Sequence, residues 1–170
     1  MERTWSRLAI VGGATLALAL GTQVVSAERA PKILEFDTMA GLPSTLTGAQ
    51  SAASLRGVNG GGLPWTLTSA QVELSTTGQL EIKVVGLVLA AGPNAGSNPI
   101  ASFRGLVSCV RSDGTFSNVL TDPFPATTGP ASSGGGNAKI EADVALPSPC
   151  LAPIVFVTSP SGAWFAVTGA

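Results

Sequence analysis

Apolar and polar residues alternate with a period of two along several short segments, a pattern that predicts β-strands. Between residues 138 and 146 every second residue is apolar, while Lys139, Glu141 and Asp143 occupy the alternate positions. Such a strand buries one face and exposes the other to water. Glycine and proline interrupt the chain frequently, and no long segment has an apolar period of 3.6 residues. The pattern therefore predicts an all-β fold, an antiparallel β-sandwich.

The first predicted hairpin turns at residues 76–78. A three-residue loop with Gly78 in the left-handed conformation pairs Leu74 with Leu80 and Val72 with Ile82. Every apolar residue then falls on one face, whereas a slip of one residue would place Val72 opposite a glutamate.

The second predicted hairpin turns at Asp113-Gly114, a strong turn signal. A two-residue loop there places four apolar side chains on one side of the ribbon, namely Val107, Cys109, Phe116 and Leu120. Cys109 then faces the core, from which a disulfide can cross to another part of it.

The last two predicted strands, residues 153–157 and 163–167, are apolar on both faces, which favours a central position or covered edges. Segments 92–99 and 129–137 are rich in Gly, Ser, Asn and Pro and are typical of surface loops.

A true immunoglobulin domain has a Trp between its cysteines and a Tyr before the second. Here Trp65 and Trp164 lie outside that interval and the chain has no Tyr, so the prediction is an immunoglobulin-like sandwich without the true immunoglobulin pattern.

The N-terminus has the pattern of a secretory signal peptide. Arg3 and Arg7 precede an apolar stretch over residues 8–20, and small residues end at Ala27. The apolar stretch is shorter than the roughly 20 residues that span a bilayer. We therefore expect cleavage after Ala27, with residues 28–170 forming a single secreted domain.

Charge and cysteine content restrict the partners and the compartment. Charged residues make up 11% of the chain, and none of the basic ones cluster, so no nucleic-acid footprint is present. A surface with so little charge repels its own copies weakly, which allows weak self-association. Cys109 and Cys150 are the two cysteines, and in an oxidising compartment they are expected to form one disulfide; an intermolecular bridge and two free thiols are the alternatives.

The absence of histidine excludes most catalytic constellations. The usual general base, the usual zinc ligand and the common nucleophile pairs all require it. Oxidised cysteines offer no thiolate, and none of Lys32, Lys83 or Lys139 follows a serine at a spacing of three. The sequence thus predicts a protein that is not an enzyme and that needs no cofactor.

Two acidic pairs remain as possible hydrolytic carboxylates. Glu35 and Asp37 share a face of an extended segment, as do Glu141 and Asp143. Such alternation is also typical of the wet side of a strand. Residues 112–114 with Asn118 resemble an oxygen-ligand loop, but turn geometry explains them equally, and no metal site is predicted.

Two of the three tryptophans, Trp65 and Trp164, are the binding candidates. Trp65 follows a glycine run at the edge of a predicted strand, and Trp164 follows a turn. An exposed indole can stack on a sugar ring or anchor a partner, whereas a buried one fills the end of a sandwich core. The sequence leaves both readings open.

Five segments carry a resemblance to known proteins: Arg56–Trp65, Val85–Leu89, Phe103–Cys109, Phe124–Gly129 and Leu146–Cys150. In them the chain resembles a set of uncharacterised secreted bacterial proteins with no assigned activity. The resemblance implies export and a bacterial origin, and it supplies no site residues.

The function predicted from the sequence is that of a secreted, disulfide-stapled, non-enzymatic interaction or envelope-associated module. Its partner is a protein or a glycan, and the mature chain contains no membrane span. The alternatives are a carbohydrate-binding module that uses exposed tryptophan and a carboxylate-dependent hydrolase.

Overall fold

The computed structural model describes residues 30–47 and 54–169, so the predicted signal peptide, residues 1–27, lies outside the described residues. No helix in this part of the chain is long and apolar enough to cross a bilayer. Within the described ranges, short 3-10 helices cover Ser44–Leu46 and Ala131–Ser133. The strands of the described residues are, in chain order, β1 Lys32–Phe36, β2 Ala40–Gly41, β3 Ser54–Leu55, β4 Val58–Asn59, β5 Trp65–Thr66, β6 Ser69–Ser75, β7 Gln79–Val85, β8 Val88–Leu89, β9 Ser97–Asn98, β10 Ser102–Val110, β11 Phe116–Leu120, β12 Phe124–Pro125, β13 Gly129–Pro130, β14 Ala138–Asp143, β15 Leu151–Thr158 and β16 Trp164–Val167.

Two antiparallel sheets enclose one core, which confirms the all-β prediction. The four-stranded sheet has the order β1-β6-β7-β14, and the larger sheet has the order β11-β10-β15-β16-β2, with β12 also paired to β10. Ile82 and Ile140 are fully buried on the inner side of the small sheet, as are Val107 and Val155 on the large one. A Cβ at Gly105 would lie 3.0 Å from Ile82, so glycine lets the two sheets approach closely there.

The first hairpin has the predicted register. β6 and β7 pair Val72 with Ile82 and Leu74 with Leu80, and Gly78 closes the loop with φ at 89°. The period-two pattern determines this register because only one face of each strand is apolar.

Substitution of Gly78 by alanine is expected to destabilise the fold more than the same change at Gly114. Both glycines close hairpin loops with positive φ, 89° and 80°, and alanine in that conformation costs roughly 1–2 kcal/mol. A Cβ at Gly78 would in addition collide with the carbonyl oxygen of Val144, whereas a Cβ at Gly114 meets nothing within 4 Å. Urea unfolding of both variants measures the difference; equal losses would contradict the close packing of Gly78 against Val144.

The register predicted for the second hairpin was wrong by one residue. Arg111 N–H donates to the carbonyl of Thr115 at 2.8 Å, so the loop has three residues rather than two. β10 and β11 therefore pair Val110 with Phe116. Phe116 and Leu120 consequently lie on the face opposite Val107 and Cys109, and Phe116 is half exposed.

The predicted disulfide between Cys109 and Cys150 is present, with a Cα–Cα distance of 4.9 Å. Cys109 is buried, as expected. Cys150 directly precedes β15, and β10 pairs with β15 through Val110 and Leu151. The disulfide thus joins neighbouring strands of one sheet instead of crossing to another part of the core.

The C-terminal strands have the predicted central position, since β15 and β16 are both interior to the large sheet. Their outer side is also covered, because Phe156 and Trp164 are almost fully buried. Residues 54–61 cross this side, where Gly61 N–H donates to the carbonyl of Trp164 at 3.0 Å.

Arg56 anchors the other end of this crossing segment. Its Nη1 donates to the carbonyl oxygens of Ser108 at 3.1 Å and Ala152 at 2.8 Å. Its guanidinium carbon lies 5.7 Å from the centre of the Phe116 ring, and Asn118 donates to its carbonyl oxygen. Desolvation lowers the pKa of Arg56 from its ordinary value.

The two predicted surface loops contact each other. β9 and β13, which lie within them, pair Asn98 with Gly129, and Asn98 is buried while its amide donates to the carbonyls of Ile100 and Thr127. A Cβ at Gly135 would collide with the Gly129 carbonyl oxygen. The glycine run at residues 134–136 therefore allows close backbone packing.

Candidate binding face

The outer side of the four-stranded sheet carries eight of the 14 charged side chains in the described residues. Its strands alternate buried and solvent-facing residues, and β14 confirms the predicted wet side, although it ends at Asp143 rather than at residue 146. We call this surface the charged face, formed by Lys32, Glu35, Gln71, Glu73, Gln79, Glu81, Lys83, Lys139, Glu141 and Asp143.

Four glutamates form a continuous row across all four strands of this face. The registers pair Glu35 with Glu73, Glu73 with Glu81, and Glu81 with Glu141. Side chains directly opposite each other on neighbouring strands have Cβ atoms about 5 Å apart, and like charges in that position are destabilising. The row therefore requires compensation by cations.

Lys32 and Lys139 supply that compensation at the two ends of the row. Lys32 Nζ lies 2.8 Å from Glu35 Oε1 and 2.8 Å from Glu73 Oε1. Lys139 Nζ lies 2.6 Å from Glu141 Oε1 and 3.3 Å from Glu81 Oε1.

The glutamates also raise the pKa of each bridging lysine. For Lys32 the main cause is the hydrogen bond to Glu35, followed by the one to Glu73. For Lys139 it is the hydrogen bond to Glu141, followed by the one to Glu81. Both lysines therefore remain charged throughout the physiological pH range.

The centre of the row differs from its ends. Glu73 and Glu81 are direct cross-strand neighbours. Among the described residues, however, no lysine forms ion pairs with both of them. A shallow open depression of about 420 Å³ lies beside them, and Lys32, Gln79 and Asp143 also line it.

The distribution of charge over the molecule is uneven. All three lysines of the chain lie on the charged face, and five of the eight acidic residues in the described ranges lie there too. The face as defined thus carries three positive and five negative side chains. Lys83 and Lys139 each lie two residues from a glutamate on the same face of their strand, a signal present in the sequence as Glu81-Ile-Lys83 and Lys139-Ile-Glu141.

The predicted hydrolytic carboxylates do not converge. Glu35 and Asp37 belong to the β1 edge, whereas Glu141 and Asp143 belong to β14 at the opposite edge. With two strands between them, the pairs are separated by about 14 Å. All four side chains are exposed, so no enclosed carboxylate pair forms from these candidates. Nor do any three His, Cys, Asp or Glu side chains in residues 30–47 and 54–169 cluster closely enough to hold a metal ion.

The structure buries both candidate tryptophans, Trp65 and Trp164. Trp65 is 5% exposed and stacks on Phe165 with ring centres 4.0 Å apart. Trp164 is 1% exposed and lies 6.0 Å from the Phe156 ring. Neither indole presents an open face to a sugar, so the carbohydrate-binding alternative loses both of its named residues.

Turn geometry accounts for the oxygen-rich segment at residues 112–114. Asp113 Oδ1 accepts hydrogen bonds from the Thr115 N–H at 2.9 Å and its hydroxyl at 2.7 Å. These bonds, the hydroxyl first, lower the pKa of Asp113. Asn118 is engaged with Arg56, so these groups serve the hairpin and the crossing segment.

Fold and surface together define an all-β, disulfide-bonded sandwich with one strongly charged sheet face. No family model matches the chain, and neither the curated proteins nor the solved structures contain a significantly similar one.

Proposed function

We propose that this protein is an exported, non-enzymatic interaction module whose contact surface is the charged face. The observation that carries the proposal is the concentration of all three lysines and five acidic residues on that one face. Exposed ion pairs contribute little to stability because water and salt screen them. The stability that these ion pairs contribute therefore does not account for such a concentration, whereas recognition of a partner does.

Export is supported by the signal-peptide pattern of residues 1–27 and by the disulfide, which is compatible with an oxidising compartment. The non-enzymatic part of the proposal is supported by the lack of histidine and by the separation of the acidic pairs on β1 and β14.

The lysines make the proposal directly testable, because an amine-reactive label modifies only the three lysines of this face and the α-amino group. The chain is first recovered from outside the cytoplasm of the producing organism, where its mass should correspond to residues 28–170. Labelling in intact cells is then compared with labelling of the purified chain. We expect Lys83 and Lys139 to react more slowly in cells, because a bound partner shields them.

Carboxyl labelling of Asp113 and Asp122 provides the control, since both are exposed and lie outside the charged face. Their reactivity should be the same in cells and in the purified chain. Equal lysine reactivity in both settings would overturn the charged face as the contact surface, and a product that retains residues 1–27 in the cytoplasm would overturn export.

A further inference from the structure

The charged face contains a repeated arrangement of one lysine between two glutamates. Lys32 lies between Glu35 and Glu73, and Lys139 lies between Glu81 and Glu141. The strand registers relate the two groups by a local twofold axis normal to the sheet. Lys32 lies opposite Ser75 on β6, two residues beyond Glu73, and Lys139 lies opposite Lys83 on β7, two residues beyond Glu81. The point midway between them falls on the Glu73–Glu81 pair.

We infer that the partner of this face is a basic segment of a protein, which inserts a lysine or arginine side chain between Glu73 and Glu81. The inference rests on the proposed function and specifies its partner. Charge complementarity supports it, because the face carries an excess of two negative charges. Within the described residues, the central junction is also the one in the row that no lysine bridges, since Glu73 pairs with Lys32 and Glu81 with Lys139.

The chemistry of the face favours such a partner over a glycan. Sugar-binding surfaces use aromatic rings for stacking. The ten side chains that define the charged face include none, and Phe36 at its β1 edge, 38% exposed, is the one aromatic ring in the described residues that borders the depressions beside Glu73 and Glu81. A basic side chain, in contrast, would relieve the repulsion of two carboxylates that face each other across neighbouring strands. The depression beside the pair is open to solvent and has a volume of about 420 Å³.

The test uses a capped peptide of alternating lysine and serine as the probe, titrated into isotope-labelled protein at low salt and followed by NMR. We expect the largest amide shifts at Glu73 and Glu81. The double variant E73Q/E81Q should weaken binding about tenfold, which corresponds to the loss of a single well-placed charge contact. Its thermal midpoint should change little, because the loss of the repulsion between the two carboxylates offsets the loss of their exposed ion pairs with Lys32 and Lys139.

The matched control is E35Q/E141Q, which removes the same number of charges from the same row but leaves the central pair intact. It should weaken binding only about twofold. If both double variants weaken binding equally, the affinity for the peptide depends only on the net charge of the face, and the central position is not a site. Peptide-induced shifts elsewhere on the protein would overturn the inference as well.

An alternating glutamate and serine peptide separates this inference from the proposed function. If that acidic peptide binds the face and the basic one does not, the charged face remains the contact surface while the basic partner is wrong. If the basic peptide binds centrally but cellular lysine labelling shows no shielding, the proposed function fails while the local chemistry stands.

Discussion

Replacement of Cys109 and Cys150 by alanine is expected to lower the free energy of unfolding by about 4 kcal/mol. The disulfide closes a loop with a sequence separation of 41, and its loss returns that loop-closure entropy to the unfolded chain. The linked strands β10 and β15 are interior to the large sheet. Urea unfolding, followed by the emission of the buried Trp65 and Trp164, measures the change.

The wild-type protein in reductant is the control for the cysteine variant. It keeps both sulfur atoms but lacks the bond, so it should lose nearly the same free energy. If the reduced protein and the variant both unfold at the urea concentration of the oxidised wild type, the disulfide does not stabilise the fold. If only the variant is destabilised, packing of the buried Cys109 sulfur, rather than the bond, is responsible.

The contrast between the two hairpins shows what an amino-acid pattern can determine. In the first, Val72 and Ile82 alternate with polar residues, so only one register buries every apolar side chain. In the second, both sides of β10 are buried from Gly105 to Cys109. A slip of one residue then costs little apolar burial, and the pattern does not distinguish a two-residue loop from the observed three-residue one.

The glutamate row was only partly accessible to sequence reasoning. The predicted pairing of Val72 with Ile82 already implies that Glu73 faces Glu81. The positions of Glu35 and Glu141 depend on β1 joining β6 and β14 joining β7. These are pairings between distant segments, and no local pattern determines them. The sequence therefore predicts a solvent-facing side for individual strands, but it does not predict that these sides form one surface.

The tryptophans and the disulfide illustrate the same dependence on distant contacts. Trp65 is buried because Phe165 and Phe103 approach it from other parts of the chain. The disulfide joins neighbouring strands because β15 pairs with β10. The two cysteines establish that a bond can form, whereas the strand order decides what it connects.

Replacement of Phe103 by alanine is expected to cost about 3–5 kcal/mol of unfolding free energy. Phe103 is fully buried, and its ring contacts Phe165 at 5.9 Å and Trp65 at 6.4 Å between ring centres. Truncation removes the favourable free energy of burying the ring. It also leaves a cavity, because the surrounding side chains can fill the space only partly. Urea unfolding measures the loss.

Phe116 provides the matched control because it lies on the neighbouring strand of the same sheet but is 51% exposed. Its replacement by alanine removes the contact with Arg56, which is worth about 1 kcal/mol or less at an exposed site. The two substitutions delete the same atoms, so the difference between them isolates burial in the core. A loss at Phe116 as large as that at Phe103 would show that the outer side of β11 is also packed, which would contradict the register of the second hairpin.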